Sequence, residues 1–220
     1  MSRKPINSGV YVVHINQSAG GSRMNEAKAY DKAAKFYDAI VSFVEWVVSK
    51  YRKEILQLTK GLTLEVGVGT GNSFKDYPVR KKIVAADVSR EMLRRARIKL
   101  EDLGDDIALV LCDVQNLPFE DNVFETMFTS LVLCAIADPV HGLMEMHRVL
   151  TGDGKLLMVE HVRSKNRLLG FLMDKLNPLV SPLDNINRDT VENLKKTGWM
   201  VAEKNLVYDV VKSMVAKKQG

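Results

Sequence analysis

The stretch Leu64-Glu65-Val66-Gly67-Val68-Gly69-Thr70-Gly71-Asn72 decides the fold. Leu62–Val66 reads as a short strand that breaks into a glycine-rich turn, and the turn is expected to open a helix. Glycine at such a turn takes positive φ and lets the backbone pass close to a ligand. The spacing is GxGxG, with Glu65 two positions before the first glycine. The dinucleotide fingerprint is GxGxxG, so the place of the third glycine argues against a nicotinamide dehydrogenase. The plain alternative is a turn that only tightens a strand–helix junction.

Working outward, strands alternate with helices. Ile83–Ala86 is a second strand, followed by a basic amphipathic helix from Glu91 to Leu103. Ile107–Leu111 and Phe124–Phe128 are the third and fourth strands, Val140–Leu150 a helix, and Lys155–Val159 the fifth strand. Thr190–Thr197 is helical and stops at Gly198. Met200–Leu206 and Val210–Ala216 read as a closing antiparallel pair. This alternation predicts an α/β sheet with helices on both faces. Upstream, Val41, Val44, Val48, Tyr51, Ile55 and Leu58 fall at helical spacing, and Gly61 ends that helix as a C-cap.

At 220 residues the chain suits one large domain with an appended element, and 46% hydrophobic residues is too apolar for disorder. A net charge of +5 excludes a histone-like tail protein but permits contact with an anionic membrane surface or nucleic acid. The two cysteines, Cys112 and Cys134, form no CxxC or His/Cys cluster, which argues against a zinc site and a disulfide scaffold and suits a reducing compartment. No metal is expected. No apolar run approaches the length of a transmembrane helix, and Tyr11–His14 is too short for a signal-peptide core. Residues 1–23 are expected to be a flexible extension, 24–60 a helical lid, and 61–220 the main domain.

Three further signals surround the glycine turn. Asp87 follows the second strand in VAADVSREML, where a carboxylate can accept both hydroxyls of a ribose. Its alternative is a helix N-cap. Asp113, in CDVQNLPF after the third strand, can accept from an exocyclic amine of adenine, or it simply forms a turn. Phe128-Thr129-Ser130-Leu131 ends the fourth strand, at the switch-point crevice where such sheets bind ligands.

In order and spacing, EVGVGTG, AADVSREML, CDVQNLPF and EMHRVLTGDGKLLMVEH resemble the class I S-adenosylmethionine-dependent methyltransferases. The resemblance runs from about Tyr30 to about Lys217. It implies a doubly wound, Rossmann-like, seven-stranded sheet whose last strand is antiparallel, and S-adenosyl-L-methionine as cofactor. It further implies that Glu65, Gly67, Gly69 and Gly71 frame the methionine end, Asp87 holds the ribose, and Val88 and Met92 pack near adenine. Asp113 and Val114 would hold the adenine edge, and Ser130 and Leu131 would line the sulfonium. YDKAAKFYD, carrying Tyr30 and Tyr37, resembles the leading helix of ubiquinone/menaquinone-biosynthesis methyltransferases and bacterial phospholipid N-methyltransferases, and Tyr30 would close over the cofactor. Other segments resemble membrane-associated thiol methyltransferases. The DPPY or NPPY tetrapeptide of nucleic-acid amino-methyltransferases is replaced by TSLV, so no nucleic-acid partner is expected.

An amine or thiol acceptor must lose a proton on attack, and a general base helps. His161, beside Glu160 at the end of the fifth strand, and Tyr37 are the candidates. The alternatives are a strand-end polar residue and a packing aromatic. Basic residues Arg163, Lys165, Arg167 and Lys175 flank the apolar run Leu168–Met173, the composition of an interfacial contact or of a helix packed over the sheet. The leading expectation is a cytoplasmic methyltransferase, peripheral on the membrane, acting on a lipophilic acceptor: a phospholipid amine such as phosphatidylethanolamine, or a quinone precursor. The alternatives are a methyltransferase for a small soluble amine or thiol, and a non-catalytic cofactor-binding module.

Overall fold

The structure is a computed structural model that describes residues 5–6, 10–11, 28, 30–31, 45–46, 48–78, 82–103, 107–164, 166–180, 188–207 and 210–219. Its strands are β1 (Pro5–Ile6), β2 (Val10–Tyr11), β3 (Leu62–Val66), β4 (Lys82–Asp87), β5 (Ala108–Leu111), β6 (Phe124–Ser130), β7 (Leu150–His161), β8 (Trp199–Val207) and β9 (Val211–Lys218). The helices are α1 (Arg90–Leu103), α2 (Pro139–Val149), α3 (Arg167–Val180) and α4 (Thr190–Lys196). Residues 48–56 are also helical and precede β3.

The described strands form one sheet in the order β1-β2-β5-β4-β3-β6-β7-β9-β8. Strands β3 to β7 run parallel, and β9 lies antiparallel between β7 and β8. The seven strands from β3 onward therefore give the doubly wound sheet with an antiparallel last strand. Two additions depart from the sequence reading. Within residues 1–23, β1 and β2 pair with each other, and β2 continues the sheet beside β5, Val10 opposite Leu109. The glycine turn opens no α-helix but a single 3-10 turn, Phe74–Asp76. The reason is local. Pro78 forces the preceding residue out of helical space, and Tyr77 is extended at ψ 144.

Chain order reverses at β3: the chain moves outward to β4 and β5, then returns to place β6 on the other side. Ligand crevices form at such reversals, outside the carboxyl ends of the strands. Side chains alternate across the sheet, so each strand feeds two cores. Leu64, Met127, Leu156, Met158 and Met214 face α2 and α4, meeting Leu143, Met146 and Leu194. On the opposite face Ile83, Ala85 and Leu109 meet Leu93, Ala96 and Leu100 of α1. Beside them Phe128, Leu157 and Val159 meet Val48, Ile55 and Leu56 of the leading helical segment.

That segment is tied to the glycine turn by one buried cation. Arg52 Nε donates to Asp76 Oδ2 at 2.7 Å, and its guanidinium also reaches Glu45 and the Asn72 carbonyl. Both Arg52 and Asp76 are buried. Breaking a buried ion pair from one side strands the other charge, at a cost of about 3–5 kcal/mol. Arg52→Ala should show a loss of that size in urea unfolding. A loss under about 1 kcal/mol, the scale of an exposed pair, would remove this tie from the fold.

Candidate active site

The carboxyl ends of β3, β4, β5 and β6 converge on one cleft of about 850 Å³, its open mouth included. Its walls include Val66, Gly67 and Gly69 after β3, Asp87, Val88 and Met92 after β4, Asp113, Val114 and Gln115 after β5, and Ser130 and Leu131 after β6. Tyr30 reaches the same cleft from the leading segment.

The glycines are there for different reasons. Gly67 has φ +69, and a Cβ on it would stand 2.4 Å from Val132. Its missing side chain lets the loop after β6 close onto the turn. Gly69 has φ +56 and nothing within 4 Å of a Cβ position. Its backbone therefore borders open space in the cleft. Gly71, at φ +80, would strike the Phe74 ring and stands behind the wall.

Asp87 joins two of these strand ends. Its Oδ2 accepts the Gly69 N–H and its Oδ1 the Ser89 N–H, both at 2.8 Å. The N-cap of α1 is Ser89, whose Oγ accepts the Met92 N–H at 3.1 Å. Asp87 is thus free of the capping role and presents its remaining lone pairs to the cleft. Burial pushes its pKa from 3.8 up to about 6, against the lowering effect of the backbone N–H groups.

Asp113 also lines the cleft, and its Oδ1 accepts the Gln115 N–H at 2.8 Å, so it forms the turn as well. Gln115 in turn accepts the Asp138 N–H through Oε1 at 3.1 Å. Leu131 sits at φ +57, a costly backbone for a non-glycine residue. The next residues explain its persistence. Glu160, buried at the end of β7, accepts the Val132 and Leu133 N–H groups and the Thr129 hydroxyl. Arg188 donates to the Leu133 carbonyl from the other side at 2.9 Å.

Of the expected site residues, Tyr30, Gly67, Gly69, Asp87, Val88, Met92, Asp113, Val114, Ser130 and Leu131 meet at this cleft. Glu65 does not. It is buried beneath the turn, where Oε1 accepts the Ser73 hydroxyl at 2.5 Å and Oε2 the Tyr77 hydroxyl at 3.0 Å. Its location follows from strand alternation: Leu64 and Val66 face one core, so Glu65 faces the other. His161 is half-buried and outside the cleft walls. It shares the β7 face of Leu157 and Val159, toward the leading helix. Tyr37 and Lys165 lie outside the described residues. Sequence reading missed Gln115, Glu160 and Arg188. Glu160 carried a usable signal, a carboxylate ending the apolar run LLMV; the other two carried none. Cys112 borders the cleft, and burial pushes its thiol pKa up, which disfavours the thiolate.

Residues 64–158 match a family model described as a methyltransferase domain. A phosphatidylethanolamine N-methyltransferase of Cereibacter sphaeroides is 37% identical over 103 residues, 46% of this chain and 51% of that one. A ubiquinone/menaquinone biosynthesis C-methyltransferase of Hahella chejuensis is 29% identical over 168 residues, 71% of this chain and 68% of that one. The chain thus spans about half the length of the first relative. In fold, the crystal structure of a SAM-dependent methyltransferase from Aquifex aeolicus aligns with a TM-score of 0.65 at 18% identity, over 84% of this chain and 97% of that one.

Two carboxyls in this region bind protons more tightly than in an unfolded chain. Burial raises Glu65 from 4.5 to about 7, and Asp87 to about 6. A raised folded pKa stabilises the fold fully below the unfolded value, and that stability is lost as pH rises through the folded value. The window here runs from about pH 4 to about pH 7. Glu65→Gln keeps an acceptor for Ser73 and never ionises. It should unfold at a higher temperature than wild type at pH 8, by an amount that shrinks toward pH 4. An unchanged difference between the two pH values would show that Glu65 does not titrate in the fold.

Proposed function

We propose that residues 64–158, which match a methyltransferase-domain model, bind S-adenosylmethionine, and that this protein methylates a lipophilic acceptor, a phospholipid amine or a quinone precursor. The observation that carries the cofactor reading is the pairing of Gly69 with Asp87. At Gly69 the backbone borders open space, and the desolvated Asp87 carboxyl faces the same cleft. Hydroxyl donors from a ribose supply what that carboxyl lacks, stabilisation of its charged form. The residues present therefore fit the cofactor that the domain implies.

In this reading S-adenosylmethionine supplies an electrophilic methyl group on a sulfonium, and the protein supplies binding, orientation and exclusion of water. Asp87 would accept the ribose hydroxyls, and Met92 and Val114 would border the adenine. Asp113 would accept from the adenine amine beside the Gln115 amide groups that it already holds. Gly67 and Gly69 admit the methionine portion against the backbone, backed from beneath by Glu65 and Gly71. Ser130 and Leu131 would line the sulfonium, on a wall whose following residues Val132 and Leu133 are held by Glu160. Tyr30 covers the cleft. For an amine acceptor, the candidates for proton removal are His161, which lies outside the cleft walls on the β7 face toward the leading helix, and Tyr37; a His161→Ala variant that keeps full turnover removes His161 from that role.

Similarity to relatives named for a phospholipid and for quinones supports a lipophilic acceptor. So does the surface of α3. Leu168 and Phe171, three residues apart on one face, are 79% and 58% exposed, while Gly170 and Met173 turn inward. Trp46 on the leading segment is 74% exposed. Arg167 and Lys175 flank the α3 pair, and Arg163 is held by Asp174 at 2.8 Å. No helix among the described residues is long and apolar enough to cross a membrane, so the mode proposed is peripheral, on the cytoplasmic face.

Experiments on the cofactor and on the acceptor test this reading. Asp87→Ala should weaken S-adenosylmethionine binding by about 1.5–3 kcal/mol in calorimetry, the scale of hydrogen bonds to a charged group. Wild-type affinity should fall several-fold as pH drops below 6, because binding needs Asp87 ionised. Unchanged affinity in the variant removes Asp87 from the site. For the acceptor, labelled methyl should pass into a total lipid extract, and the protein should sediment with anionic vesicles at low salt and release at high salt. Leu168→Ser with Phe171→Ser should weaken sedimentation and leave cofactor affinity unchanged. Absence of vesicle binding at low salt, with transfer to soluble amines or thiols, would replace the lipid reading.

A further inference from the structure

Two consecutive residues of the leading segment meet the strand ends and the start of α1. Tyr30 lines the cleft, and Asp31 turns to the amino end of α1. There Asp31 Oδ1 accepts the Ser89 hydroxyl at 2.5 Å and the Glu91 N–H at 3.1 Å. Helix amino ends leave backbone N–H groups without partners inside the helix. Ser89 satisfies the Met92 N–H and Asp31 the Glu91 N–H. The two side chains thus cap one turn together, although they lie 58 residues apart. A carboxylate at this position also meets the positive end of the helix dipole.

Ser89 is engaged from both sides. Its hydroxyl donates to Asp31, and its backbone N–H donates to Asp87, whose other oxygen holds Gly69. One serine therefore connects the leading segment to the carboxyl of the cleft and, through it, to the glycine turn. The residue before Asp31 in the chain is the one that covers the cleft.

The geometry points to Asp31 as a positioning residue, a latch that caps α1 and thereby holds Tyr30 against the bound cofactor. It does not touch the cofactor; it acts through Tyr30 and Ser89. This inference rests on the cleft being the S-adenosylmethionine site. Losing the latch lets Tyr30 leave the wall, so the cofactor escapes faster while the Asp87 contacts remain. Asn at position 31 keeps an oxygen that accepts both hydrogen bonds, whereas Ala keeps none.

Two readouts test it, one of them without cofactor. Hydrogen exchange on the cofactor-free protein should show Asp31→Ala speeding exchange at the Glu91 amide, with Asp31→Asn close to wild type. Stopped-flow release of S-adenosylmethionine should be about two- to tenfold faster in Asp31→Ala, the range expected from losing a helix cap, and near wild type in Asp31→Asn. In the pair Tyr30→Ala and Asp31→Ala, the double variant should release no faster than Tyr30→Ala alone. A purely structural cap would give two effects that multiply, and that result overturns the latch. Unchanged exchange at Glu91 in Asp31→Ala also overturns it. Failure of the wild-type protein to bind S-adenosylmethionine would instead refute the cofactor reading, with the exchange data still deciding whether Asp31 caps α1.

Discussion

Two backbone N–H groups end on the carboxyl of Asp87, and the arrangement of the cleft depends on them. One comes from Gly69 after the first strand of the parallel sheet, the other from Ser89 at the start of α1. Because β3 and β4 are hydrogen-bonded neighbours, Val66 opposite Ala86, their carboxyl ends arrive side by side. The carboxyl then fixes the glycine turn against the helix start. It does so at the cost of desolvation, visible in its raised pKa. A desolvated carboxyl that also lines a cleft is a candidate functional position.

The rest of the cleft is built by indirect supports. Glu160 and Arg188 hold the loop after β6 by its backbone, so that Leu131 keeps a strained conformation at the wall. Glu65 and Arg52 lie beneath the turn on the opposite side. Neither pair lines the cleft. This division suits group transfer, where rate depends on alignment and on dry surroundings more than on reactive side chains.

The sequence made the sheet legible because its signals are local. Leu62–Val66 with its glycines, and the apolar runs ending at Asp87 and Asp113, each carry strand and turn in one stretch, and the strands fell where expected. The order of the strands needed the family resemblance, since periodicity alone does not set it. What was illegible depends on long-range contacts. Asp31 meeting Ser89, Arg188 meeting the Leu133 carbonyl, and β2 joining β5 all bridge distant segments that no spacing rule connects. The expected helix after the glycine turn failed for a local reason that could have been read: Pro78 stands too close to the turn for a full helical run. The resemblance had Glu65 frame the methionine end; alternation along β3 turns its side chain away from Leu64 and Val66, to Ser73 and Tyr77 beneath the turn.

The central claim is that S-adenosylmethionine occupies the cleft at the carboxyl ends of β3 to β6. The most direct measurement is a titration of isotopically labelled protein with the cofactor, followed by amide NMR. The account predicts that the amides of Gly67, Gly69, Val88, Val114 and Leu131 shift together, with one shared affinity, while those of α3 stay still. Shifts confined to α3 or to the β8–β9 edge, with the Gly69 and Val88 amides unmoved at saturation, would contradict it.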